Sequence, residues 1–258
     1  MSIRNLSLIT VITVFCCVSL AEGDQAILLK DWSEIGKDTD NTFTGNGTDG
    51  FSERFGSSAD DNSYASGGIA HFTSDVSLDE LNHTLRLSFT VHSIKSSKVA
   101  NNAFRVGFRN DDQDTTRDAT IHYIFGWGSG DPQLDAPDAR FAGASEESNV
   151  FSQGTSFDVD SKVDHARPLA TGNTCNIVVT LKYLGQAGEG NYRYEADILW
   201  NDGEHKTSTS FTRNTNRWDA VYIVTNMDEI NVAGDGYTVS DVELTLLSEA
   251  PAKSYAMK

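Results

Sequence analysis

Thr84-Leu-Arg-Leu-Ser-Phe-Thr-Val-His92 is the stretch whose reading decides the fold class. Leu85, Leu87, Phe89 and Val91 alternate with Thr84, Arg86, Ser88, Thr90 and His92. Strict period-two alternation with β-branched and aromatic residues is the signature of a half-buried strand. The pattern recurs outward from there. Phe104, Val106 and Phe108 alternate with Arg105, Gly107 and Arg109. Ile121, Tyr123, Phe125 and Trp127 alternate with His122, Ile124 and Gly126. Asn176 to Leu184 and Asn191 to Trp200 read as two long strands joined by the turn Gly185-Gln-Ala-Gly-Glu-Gly190. Lys206 to Thr212 continues after Asn201-Asp-Gly203, and Ala220 to Thr225 and Tyr237 to Leu247 close the series.

No segment holds a 3.6-residue period; Leu78 to Leu81 is long enough for one helical turn. Glycine- and Asx-rich connectors run over Asn41 to Ser66, Gly126 to Asp138 and Ala142 to Thr155. No internal repeat or dividing linker separates the strands. Strands with one apolar face each bury themselves by packing sheet on sheet. The expected fold is therefore all-β: a two-sheet antiparallel jelly-roll sandwich with very little helix.

The ends of the chain read differently. Arg4 precedes an apolar run from Leu6 to Leu20, and the small residues Ser19 and Ala21 precede the polar Glu22-Gly-Asp24. This is the three-part pattern of a secretory signal peptide over residues 1–21. Phe15 stands where lipoprotein processing at Cys16 would need a small residue. Residues 22–250 form the expected single domain, and 251–258 a disordered tail. The expected location is extracellular or periplasmic. No second long apolar run follows, so no membrane span is expected after signal removal.

The chain has 20 basic and 37 acidic residues, a net charge of −17. Losing Arg4 and no acid with the signal leaves −18. Such a surface repels nucleic acid and excludes it as a partner. Only Cys175 survives signal removal, so no intramolecular disulfide is available; beside Ile177-Val-Val179 it reads as a small buried apolar side chain.

Leu29-Lys-Asp-Trp32, the Leu85–Val91 strand, Phe104-Arg-Val-Gly-Phe108, the Ile177–Trp200 hairpin and the closing Tyr237 to Leu246 strand resemble, in that order, the concanavalin A-like lectin/glucanase (laminin-G-like) sandwich. The resemblance covers nearly all of residues 25–248. It implies a last strand that pairs back near the N-terminus. Its members include lectins, carbohydrate-binding modules, hydrolases and lyases, so the fold alone selects no activity.

Four chemistries find partial matches among the residues. Glu195 and Asp197 have the i, i+2 spacing of a hydrolase carboxyl pair. Glucanases of this fold carry a further Glu at the position held here by Leu199 or Trp200. A uronate lyase needs a cation for the carboxylate and a Tyr or His to move the C5 proton. Arg105, Arg109, His122 and Tyr194 are the catalytic candidates for that reading, without the family's usual Arg-x-Glu and Gln-x-His motifs. Asp111, Asp112 and Asp114 are the candidate ligands of a structural calcium ion. Trp127, Tyr123 and Trp218, with Tyr222, are candidate platforms for a sugar ring. Every catalytic template fails at one position. The expected function is a secreted, non-catalytic glycan-binding or surface-associated protein. The alternatives are a polysaccharide-degrading enzyme, lyase before hydrolase, and a purely structural extracellular protein.

Overall fold

The computed structural model describes residues 23–36, 41–56, 65–95, 100–110, 119–127, 140–143, 155–156, 174–200, 205–226 and 234–248. Among these there is no helix. The strands, in chain order, are β1 (Gln25–Ala26), β2 (Ser33–Gly36), β3 (Thr42–Gly45), β4 (Phe51–Arg54), β5 (Ala65–Ser77), β6 (Thr84–Lys95), β7 (Ala100–Asn110), β8 (Ala119–Trp127), β9 (Arg140–Gly143), β10 (Thr155–Ser156), β11 (Thr174–Gly188), β12 (Asn191–Trp200), β13 (His205–Arg213), β14 (Arg217–Asn226) and β15 (Gly236–Leu247).

They form two antiparallel sheets. One runs β13-β12-β11-β6-β15-β4-β3, with β1 added to β15; the other runs β10-β9-β8-β7-β14-β5-β2. The chain passes repeatedly from one sheet to the other, as a jelly roll does. The alternation in β6 sets the packing. Leu85, Leu87, Phe89 and Val91 are buried, and so are Ile177, Val179 and Leu181 of β11. They meet Phe104, Val106 and Phe108 of β7 and Trp218, Val221 and Ile223 of β14 in one core between the sheets. Burial alone supplies the cohesion, at about 25 cal/mol per Å² of apolar surface removed from water. Cys175 is part of this core.

The last strand does pair back to the N-terminus: Gln25 stands opposite Leu246. From there the segment Ile27–Trp32 straps the two sheets together. The Ile27 amide donates to the Leu244 carbonyl at 2.9 Å, and the Thr73 amide donates to the Leu28 carbonyl at 2.9 Å. Leu29 bridges to Phe72, and Trp32 packs on Phe51 at 5.1 Å between ring centres. Among the described residues, no helix is long and apolar enough to cross a membrane.

Two local expectations need revision. The β11–β12 ladder does not stop at Leu184; it runs on to Gly188, and only Glu189 and Gly190 form the turn. Bulges at Tyr183/Gly185 and Gln186/Gly188 make this extension, with Gly185 and Gly188 at positive φ. Leu78 to Leu81 makes no helical turn: Leu78 is a buried plug, and Leu81 lies exposed in the β5–β6 connection.

Candidate functional site

The two sheets differ on the faces they turn away from the core. On β11, β12, β6 and β15 that face is polar and half-exposed: Thr180 stands between Asp197 and Arg86, and Lys182 between Glu195 and Thr84. Glu195 and Asp197 are therefore half-exposed members of a charge-mixed face, with a lysine directly opposite the glutamate.

The far face of the seven-stranded sheet is built otherwise. Since Phe104, Val106 and Phe108 point into the core, strand alternation turns Arg105, Gly107 and Arg109 the other way. Arg105 is fully buried there and Arg109 is 8% exposed. On β14 the same face carries Ala220, Tyr222 and Val224. These form a second apolar cluster with Ile69 and Ile35, separate from the main core. Gly107 is the centre of a row: Tyr222 stands opposite it on β14 and His122 occupies the register position opposite it on β8. Arg105 pairs with Val224 and Arg109 with Ala220, so the two arginines flank Gly107 along the strand.

A third guanidinium lies near. Arg213, at the end of β13, has its value lowered to about 10 by burial, while Tyr222 within electrostatic reach pulls it back up. Guanidinium this basic remains charged at neutral pH. Arg105 and Arg109 thus flank the Tyr222 row, with Arg213 within electrostatic reach of Tyr222, in a chain whose net charge is −17.

The structure separates the quartet nominated for a lyase. Tyr194 lies on β12 with Ala196 and Ile198, all pointing into the core. Its hydroxyl donates to the Thr215 carbonyl at 2.6 Å, and its ring meets Trp218 edge-on at 5.8 Å. Burial raises its phenol far above the usual range; Trp218 opposes this, and Tyr183 and Tyr192 add to it. The seven-stranded sheet stands between this phenol and Arg105. Tyr194 cannot share a substrate with the arginines, because alternation on β12 commits it to the inner face. Tyr194→Phe is expected to lower stability by about 1–2 kcal/mol, through the lost bond to a buried carbonyl, and to leave ligand binding unchanged. Denaturant melts alongside binding isotherms check both parts.

Trp218 is likewise no platform. It is fully buried, and no ring face is open to a sugar. Tyr123 registers with Val106 and Phe141, and Trp127 with Ala100. The side chains of residues 119–127, His122 included, lie outside the described residues, as do Asp111, Asp112 and Asp114. Among the described residues no group of three His, Cys, Asp or Glu side chains could hold a metal ion.

Tyr222 is the member of this face that the strand patterns did not bring to the arginines. One signal was present for Tyr222. Ala220-Val-Tyr-Ile-Val224 is apolar at every position, which marks a strand buried on both faces.

No family model and no curated protein matches the sequence. Solved structures do match in shape. One is the lectin I from Ulex europaeus in complex with the methyl glycoside of α-L-fucose: 12% identity, TM-score 0.40, covering 84% of this chain and 98% of that one. A second is winged bean acidic lectin complexed with methyl-α-D-galactose: 9% identity, TM-score 0.44, covering 85% and 100%. A third is alginate lyase Aly36B in complex with an alginate trisaccharide: 12% identity, TM-score 0.44, covering 86% and 99%. At these values the likeness assigns no residue a role.

Proposed function

We propose that the chain is an exported glycan-binding protein that holds an acidic sugar on the far face of its seven-stranded sheet, without catalysing its cleavage. The observation that carries this reading is the Arg105–Gly107–Arg109 segment facing Tyr222. A planar guanidinium fork matches a carboxylate or sulfate with two parallel hydrogen bonds. On a face shielded from water such bonds gain strength. Gly107 places no side chain between the two forks. The local cluster of arginines runs against the acidic field of the whole chain, which favours a ligand whose charge is read at close range.

The non-catalytic part of the reading is supported by the fate of Tyr194, whose proton is held on a core carbonyl. A lyase reading stays second on one observation: Tyr222 shares a row with Gly107 and His122 and could take the proton-moving role.

Titration calorimetry with a uronic-acid oligosaccharide, a sulfated one and a neutral one of equal length tests the proposal. Wild-type protein is expected to bind an acidic member and not the neutral one. Arg105→Met and Arg109→Met are each expected to weaken binding about 10–100-fold, the loss of one charge-assisted pair. Equal binding of the neutral oligosaccharide would refute it. A rising absorbance from unsaturated uronate products would replace it with the lyase reading.

A further inference from the structure

We propose that Glu53 is a protonation-controlled clamp between the two sheets: neutral, it closes the β3–β4 end of the sandwich, and ionised, it releases it. Glu53 lies in Phe51-Ser-Glu-Arg54 with every mark of a surface strand, yet its side chain is fully buried. The register explains why. It stands opposite Tyr237 on β15, whose ring packs against Phe51 and Phe104 of the main core. Alternation with Phe51 and Phe55 commits Glu53 to the same inner face.

The groups around the carboxyl come from every strand that meets there. The Asn41 side-chain amide donates to Oε1 at 3.1 Å, and the Ser66 hydroxyl of β5 donates to the same oxygen. The Tyr237 phenol faces it from β15. Glu34 of β2 is a like charge within electrostatic reach, and the buried Asp235 stands two residues along, opposite Phe55. Asn41 also accepts from the Gly56 amide at 2.9 Å, and the Thr225 hydroxyl of β14 donates to the Ser66 carbonyl at 3.3 Å. One carboxyl therefore ties β4 and the residue before β3 to β5 of the opposite sheet. Among the described residues no lysine, arginine or histidine pairs with it. A buried carboxylate without a cation is costly, and the carboxylic acid is the form such a site keeps.

Burial pushes the Glu53 carboxyl up, more than the donors Ser66, Tyr237 and Asn41 pull it down, and Glu34 adds to the rise. The sign follows. A value raised in the folded state means that the clamp's contribution is fully present below the ordinary carboxylate value. It is lost as pH rises through the folded value. Between the two, the unfolded chain releases a proton that the folded one keeps.

The test is unfolding by urea across pH, wild type against Glu53→Gln. Glutamine keeps the volume and cannot ionise. The expected result is a ratio of the two unfolding constants that changes about tenfold per pH unit within the window between the unfolded and folded values, then levels. Difference infrared spectra should show a protonated carboxyl band in wild type that Glu53→Gln lacks. Ser66→Ala, which deletes a donor favouring the ionised form, should move the loss to higher pH, and serves if Glu53→Gln does not fold. Parallel pH profiles for wild type and whichever of these variants folds, with no protonated carboxyl band above the ordinary carboxylate value, would overturn the clamp.

Discussion

Trp218→Ala is expected to lower stability by about 3–5 kcal/mol, the range for deleting a large aromatic from a core. For a domain of this size that is a fall in melting temperature of about 10 °C. Trp218 is fully buried and opens the β14 strand just after the Thr215–Asn216 crossover from the other sheet. Its ring meets Tyr194 edge-on at 5.8 Å, with an interplanar angle of 76°. Tyr194 is fixed in turn by its bond to the Thr215 carbonyl, and Thr215 takes the Asn110 amide at 2.7 Å. Removing the indole leaves a void that strands on two sheets cannot close without breaking these bonds. Trp218→Phe, which refills part of the space, is expected to cost about half as much or less. Circular-dichroism melts give both numbers. A stacking platform would behave in the opposite way, losing ligand affinity with the melting temperature unchanged.

The separation of Trp218 and Tyr194 from the arginines shows where the sequence stops speaking. Alternation states which residues of one strand share a face. It ranks the two faces when one is clearly apolar, and so β6 and β7 were legible: Leu85 to Val91 and Phe104 to Phe108 do line the core. It is silent on which sheet a strand joins and hence on which residues from different strands share a side. Arg105 and Tyr194 were grouped by chemistry, and only the strand order places a whole sheet between them. β5 was obscured for a related reason. Ser66 to Ala70 is buried at each position, because both faces of that strand are covered, so no alternation shows. Its opening Ala65-Ser-Gly-Gly68 also has the composition of a loop. The same covering hid the value of Tyr222, whose partners Ile69 and Val224 form an apolar cluster beyond the core. Glu53 was masked in another way. Ser-Glu-Arg in a glycine-rich stretch reads as solvated, although Glu53 shares its parity with Phe51 and Phe55, and the pairing with Tyr237 shows that this face is the inner one.

Gly50→Ala is expected to cost about 3 kcal/mol or more, far beyond a glycine's ordinary contribution. Gly50 enters β4 at φ 147°, where a Cβ would stand 2.1 Å from the Val239 carbonyl oxygen and 2.7 Å from its carbon. These are backbone atoms of the neighbouring strand, so no rotamer change makes room. Relief requires β4 to move away from β15. That motion would strain the pairs from Val239↔Phe51 to Tyr237↔Glu53, and with them the wall of aromatic rings formed by Phe43, Phe51 and Tyr237. It would also disturb the turn below, where the Asn46 amide donates to the Gly50 carbonyl at 2.9 Å. Gly190→Ala supplies the comparison. Gly190 has φ 69° with nothing within 4 Å of the added carbon, so it bears only the left-handed conformational cost of about 1–2 kcal/mol. Thermal melts of the two variants measured side by side should therefore differ by several degrees. Hydrogen exchange should further show faster opening of β4 amides in Gly50→Ala alone. Equal melting temperatures would mean that backbone conformation, and not the close approach of β4 to β15, is what requires glycine at position 50.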